Sequence, residues 1–230
     1  MTALVETTSD VATLKKTARL AGLSYLGLAI SGVLGFLVVR SQLYVADDAA
    51  ETAANLVDKE GLARLGIVLE LAIVWTQALA ALYFYKLFRG VDSFAAGSLA
   101  AFGLMNSAVL LTSVAFTATA LDAALDGGAE TAQLLYDLSE SAWGVGAIFF
   151  GLWLLPMGWL VRRSNYMPAM LGWLLLVSGV GYILSAHIAF LLPDATTLAD
   201  VLTFPATVGE FWMIGYLLWK GVGGPAAERR

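Results

Sequence analysis

"RLGIVLELAIVWTQALAALYFYKLF", Arg64 to Phe88, decides the fold. A helix rises 1.5 Å per residue, so ~20 apolar residues cross the ~30 Å hydrocarbon core of a bilayer. This stretch is long enough, and its charges sit at its ends except for one carboxylate, Glu70. A second run, "FPATVGEFWMIGYLLW" from Phe204 to Trp219, repeats the pattern with Glu210. A charge at mid-bilayer costs ~2.5–3.5 kcal/mol on insertion scales, so two acids in such places need a reason.

Working outward, the chain holds six such runs, near Leu20–Val39, Leu65–Tyr85, Ala95–Ala120, Ala142–Val161, Met170–Leu192 and Leu202–Trp219. Only 13% of the 230 residues are charged, against ~25% in soluble domains. Unbroken apolar runs, rather than the alternation of a barrel strand, predict an all-α, polytopic membrane helix bundle with six transmembrane helices. We divide the chain into a polar segment 1–17, a single transmembrane domain 18–220 and a tail 221–230. Residues 1–17 contain Glu6 and Asp10 and lack the basic-then-apolar order of a cleaved signal, so the first span is expected to be retained.

Charge sets an orientation. Lys15, Lys16, Arg19, Lys86, Arg89, Arg162, Arg163, Lys220, Arg229 and Arg230 fall on one side of the spans, and only Arg40, Lys59 and Arg64 on the other. Short cytoplasmic loops carry the excess of basic residues, which predicts cytoplasmic termini in a multi-pass plasma (inner) membrane protein. The net charge of −5 comes from acids in the opposite loops and gives no sign of nucleic-acid binding.

Those opposite loops are long. Asp48 and Glu51 have capping-box spacing ahead of a weak apolar stripe, which predicts a short amphipathic helix on the outer surface. Gly127–Gly128 breaks the chain, and Leu134, Leu135, Leu138 and Trp143 then keep helical period, so the fourth span is expected to extend beyond the membrane. Small residues recur at helical spacing in Ser24, Gly27, Ser31 and Gly35, in Gly144, Gly151 and Gly158, and in Gly172, Gly179 and Ala186. Such stripes let membrane helices approach closely, mostly for internal packing, with a homo-oligomer face as the alternative.

The buried polar residues carry the functional question. Glu70 and Gln77 share one helix face, and Asn106, Ser113 and Thr117 share another. Glu210 has Thr203 and Thr207 nearby, and His187, the only histidine, lies in the outer third of its span. The candidate polar pocket is therefore Glu70, Gln77, Asn106, His187, Thr207 and Glu210, with Arg40 and Arg64 as charge partners of Glu70. On this reading Glu70 stays ionised beside its arginines, Glu210 is carried neutral, and both share one cluster. The structural alternative is that these groups only fix helix register.

Several chemistries are excluded. One histidine cannot ligate a haem from both sides, and no cysteine is present for thiolate metals, disulfides or thiol catalysis. We assign no metal site and no catalytic residue, and the cofactor is left unknown. Ser178 and His187 fall on opposite faces of one helix, no phosphate-binding glycine loop occurs, and no lysine lies mid-span for a Schiff base.

The stretches "ARLAGLSYLGL", "EGLARLGIVLELA", "RRSNYMPAMLGWLLLVSGVGYIL" and "VGEFWMIGYLLWKGV" together resemble the bacterial domain of unknown function 4386 family, over roughly Lys16 to Val222. The resemblance implies a multi-helix membrane protein with no established activity, so it supplies no catalytic residue. Glu70 stands where the family pattern has an Asp, and Ser185 where an acid is also common. The reading is a membrane protein whose outward-facing pocket binds a small molecule, lipid part or ion, with binding favoured over catalysis and enzyme activity left open. A ligand-free assembly protein and a small transporter are its rivals, and matching broken helices in two halves, a transporter signature, are absent from the sequence.

Overall fold

The structure, a computed structural model, describes residues 2–192 and 194–223, with side chains from residue 11 onward. Arg229, Arg230 and most of the expected tail lie outside the described residues. Among the described residues seven α-helices follow one another: α1 (Thr2–Gly32), α2 (Ala49–Asp58), α3 (Glu60–Phe88), α4 (Ser93–Leu125), α5 (Ala129–Ser164), α6 (Ala169–Leu191) and α7 (Thr196–Trp219). No strand occurs among the described residues. Helix α1 continues as a π-helix, Val33–Val39, and a 3₁₀ turn, Arg40–Gln42. Counting that extension, all but α2 are long and apolar enough to cross a membrane, which makes six such helices among the described residues.

The expected span limits fall inside longer helices. The segment expected to be merely polar is helical from Thr2, and α5 runs for 36 residues, roughly 54 Å, well past the ~30 Å hydrocarbon core. The acidic loop between α1 and α3 forms α2 as its capping box requires, with Asp48 Oδ1 accepting from Glu51 N at 2.9 Å. Leu37, Trp75, Val68 and Phe204 are exposed, the expected state of apolar side chains that face lipid.

By internal contacts the chain divides into two compact units: Met1–Leu26, Gln77–Met105 and Ala147–Arg230 in the first, Gly27–Thr76 and Asn106–Gly146 in the second. In the first unit, glycines bring α5 and α6 into backbone contact. A Cβ on Gly158 would lie 2.6 Å from Gly172 O, and one on Gly151 would lie 2.7 Å from Gly179 O. Two of the seven-residue stripes are thus mates in one antiparallel crossing. A Cβ on Gly103 of α4 would sit 2.4 Å from the Trp153 ring, and one on Gly181 of α6 would sit 2.1 Å from Leu202 O of α7. Tyr25, Phe84 and Trp153 meet edge to face with centroids 5.6–5.9 Å apart, within the favourable range for aromatic pairs.

In the second unit, Val39, Leu43, Leu56, Ala63, Leu121 and Tyr136 head an apolar core that ties α2 to the π extension, α3, α4 and α5. The small stripe of α1 serves this packing: a Cβ on Gly27 would meet Thr76 Cγ2 at 2.9 Å, and one on Gly35 would meet Leu69 Cβ at 3.6 Å.

Candidate functional site

Glu70 is carried by α3 in the second unit and is 8% exposed. Thr117 of α4 reaches its Oε2 at 3.1 Å. The Thr117 hydroxyl also lies 3.3 Å from Ser113 O and 3.1 Å from Val114 O. One hydroxyl proton serves three acceptors. Thr117 therefore donates to an ionised Glu70, or turns to the helix backbone and accepts from a protonated one.

Arg40 follows the π-helix, whose widened turns end with Arg40 N donating to Gly35 O. Its guanidinium lies 5.1–5.4 Å from the ring centroids of Phe36, Tyr44 and Tyr136, a three-ring cation–π cage. It donates to Ser139 Oγ at 3.2 Å and Tyr136 O at 3.3 Å, and pairs with Glu140 at 3.5 Å. Ser139, fully buried, shares a 2.8 Å bond with Ser113 Oγ of α4. Polar groups thus run from buried Glu70 through Thr117 and the two serines to Arg40 and the exposed Glu140.

Between them lies a cavity of about 20 Å³, lined among others by Gly35, Arg40, Gly66, Glu70, Thr117 and Tyr136. Gly66 keeps it open beside Val39: a Cβ on Gly66 would lie 3.0 Å from Val39 Cγ1. About 10–15 Å³ suffices for one water, and a buried water takes two to four polar partners. The carboxylate, guanidinium, Thr117 hydroxyl and Tyr136 phenol supply that number.

The charge partners differ from expectation. Arg64 pairs with Glu60, one turn away on its own helix, at 2.7 Å, because both are exposed at the start of α3. Arg40 lines the Glu70 cavity but makes its ion pair with Glu140. Of the remaining candidates in this unit, Asn106 is fully buried and neither its Oδ1 nor its Nδ2 finds a protein hydrogen-bond partner. It lies on the same face of α4 as Ser113 and Thr117, as the spacing predicts.

The first unit holds the other acid. Glu210 of α7 accepts from Tyr25 Oη, whose ring is held by Phe84 and Trp153. Gln77 is buried, with Oε1 unpartnered. His187 and Thr207 are exposed. The buried stripe of α7 is Ala206, Gly209, Met213 and Leu217, which leaves Thr207 on the outside, and His187 bonds Ile183 O of its own helix at 2.7 Å. Tyr25 is the residue that sequence reasoning missed, although an aromatic with a hydroxyl inside an apolar span always needs a partner.

Outside the spans, burial is the main cause that pushes the Tyr44 phenol up to about 12, followed by its 2.7 Å bond to Asp137. No cluster of three or more histidines and carboxylates placed to hold a metal occurs among the described residues.

Fold and site define a polytopic α-helical membrane protein with a buried carboxylate, Glu70, and a half-buried one, Glu210, inside its helices. The chain belongs to the family described as "Domain of unknown function (DUF4386)", whose profile matches residues 20–221. An uncharacterised protein of Archaeoglobus fulgidus is similar, 33% identical over 82 residues that make up 35% of this chain and 50% of that protein. The chain thus matches half the length of that curated relative. No solved structure matches.

Proposed function

We propose that this membrane protein binds and releases a proton at Glu70, exchanged through one water in the adjoining cavity. The supporting observation is the cavity's size and lining: at about 20 Å³ it admits one water-sized occupant, which is too small for a metabolite or a lipid part. Arg40 in its wall opposes a bare metal cation but not a neutral water. Thr117 accommodates both protonation states of the acid, and intramembrane carboxylates commonly serve proton relays. We place the site toward the outside of the plasma membrane, following the basic asymmetry of the loops, with both termini cytoplasmic.

Infrared difference spectra of the membrane-reconstituted protein between acid and alkaline pH test this reading. A protonated-carboxyl band that vanishes in Glu70→Gln is expected. A band that persists unchanged in that variant would leave Glu70 a structural acid. For the orientation, single cysteines at Gly128 and Ser164 are expected to label from outside sealed cells only at Gly128.

A further inference from the structure

We infer that the first unit holds one anionic phospholipid, its phosphate between Arg162 and Arg163 and an acyl chain in the groove between α6 and α7. The two parts of this site meet where Arg162, which lines the first, stacks on Trp173, which lines the second.

The head of the site is built at the C-terminal end of α5. The Arg162 guanidinium lies flat on the Trp173 ring, 3.7 Å from its centroid. Its stem passes over Gly172, where a Cβ would lie 2.4 Å from Arg162 Cγ, so the glycine keeps the path clear. Arg162 makes no ion pair among the described residues. Arg163 lies 5.8 Å from the centroid of Trp159 and 4.0 Å from Asp92, the outer limit of an ion pair, and is 57% exposed. Asp92 is occupied elsewhere: Oδ1 accepts from Ala95 N at 3.1 Å, capping α4, and Oδ2 from Trp159 Nε1 at 3.4 Å. Two guanidiniums that share a single acidic neighbour, Asp92, at the outer limit of an ion pair from Arg163, therefore flank a hollow of about 210 Å³ lined by Trp159, Arg162 and Arg163 and leave it net positive. Guanidinium forks fit phosphate oxygens in pairs, and tryptophan marks the depth at which lipid headgroups lie.

The tail of the site begins at the same tryptophan. A cavity of about 440 Å³, almost wholly apolar, runs from Trp173 past Val177 and Val180 to Leu184 on α6, with Val201 and Pro205 of α7 as its other wall. Trp173 to Leu184 is roughly 16 Å along the helix, close to half of the ~30 Å hydrocarbon core, which is the depth one acyl chain reaches. A free phosphate would use the arginines and leave the groove, and a zwitterionic lipid would use the groove while its own cation offset the arginines. Only an anionic phospholipid uses both.

Native mass spectrometry of the purified full-length protein, with thermal unfolding in the same detergent, tests this. Phosphatidylglycerol is expected to give a one-to-one adduct and raise the melting temperature. Phosphatidylcholine with the same chains is expected to bind at least tenfold more weakly, and inorganic phosphate to do neither. The double variant Arg162→Gln with Arg163→Gln should lose the preference for phosphatidylglycerol, while the double lysine variant, which keeps the charge, should retain most of it. Val177→Trp, which fills the groove without touching the arginines, should weaken both lipids alike. Equal binding of the two lipids, stabilisation by inorganic phosphate alone, or an undiminished preference in the glutamine variant would each overturn the inference.

Discussion

Glu70 and Glu210 are both carboxylates inside apolar helices, yet their surroundings differ in kind. Glu70 sits against a hydroxyl that can turn either way, a water-sized cavity and an arginine that is itself tied to a surface acid. Glu210 is bonded to one phenol, and that phenol is fixed by two aromatic neighbours. On the proposed reading the first arrangement lets a proton come and go. The second locks a helix contact. An acid buried in a membrane protein is thus not read from its depth alone, since what surrounds it decides whether it exchanges or staples.

The comparison is broken most sharply at Arg40. Its side chain is 12% exposed and serves three rings, a serine, a carbonyl and a largely exposed carboxylate, so Arg40→Ala is expected to cost about 2–3 kcal/mol in thermal or denaturant unfolding. Arg40→Lys should recover only part, because an ammonium cannot reproduce the planar fork. A loss below about 1 kcal/mol would mean that the cage is not what holds the second unit together.

Tyr25→Phe strands the Glu210 carboxyl and is expected to cost about 1–3 kcal/mol, whereas Tyr25→Phe combined with Glu210→Leu should return close to wild type, because both polar partners are gone. Glu210→Gln keeps an acceptor for Tyr25 and should be nearly neutral. The equivalent pair in the second unit, Thr117→Val with Glu70→Leu, should not be rescued, since Arg40 keeps facing the emptied position. Equal rescue in both double variants would erase the distinction drawn between the two acids. Thr117→Val alone is expected to cost about 1 kcal/mol, the worth of one ordinary hydrogen bond, with Thr117→Ser retaining it.

The smallest effect is one of pH. The Tyr44 phenol is raised in the folded chain from 10 to about 12, so its contribution to stability is intact below pH 10 and is lost as pH rises toward about 12. Tyr44→Phe should therefore be less stable at neutral pH and lose less of its stability between pH 10 and 12. An identical alkaline limb would show that the contact with Asp137 does not persist in solution.

Much of the architecture was legible because membrane crossing has a length and a composition. The six spans, the capped α2 and the glycine steps of α5 and α6 follow from local rules, and the Asn106–Ser113–Thr117 face follows from helical period. Partners were less legible. Tyr25 and Glu210 are separated by most of the chain, and nothing local announces their meeting. Arg64 was expected to serve Glu70, but an exposed acid one turn away on the same helix, Glu60, claimed it first. Thr207 and His187 were grouped by depth, while the rotation of α6 and α7, set by where their small and apolar residues pack, turned both outward.

The π-helix at Val33–Val39 has a consequence for how this span can vary. Each turn of such a helix holds about one residue more than an α-turn, so the stretch behaves as a slip joint between two lengths of rod. Upstream of the joint the phase is set by Gly27 against Thr76, and downstream by Arg40 in its ring cage. Removing one lipid-facing residue from the joint, such as Leu37 at 71% exposure, would let the stretch wind as an ordinary α-helix while leaving Arg40 close to its present phase relative to Gly27. The two ends of this span can each drift in sequence against their own neighbours, and the joint between them is where a change of one residue in length can be taken up.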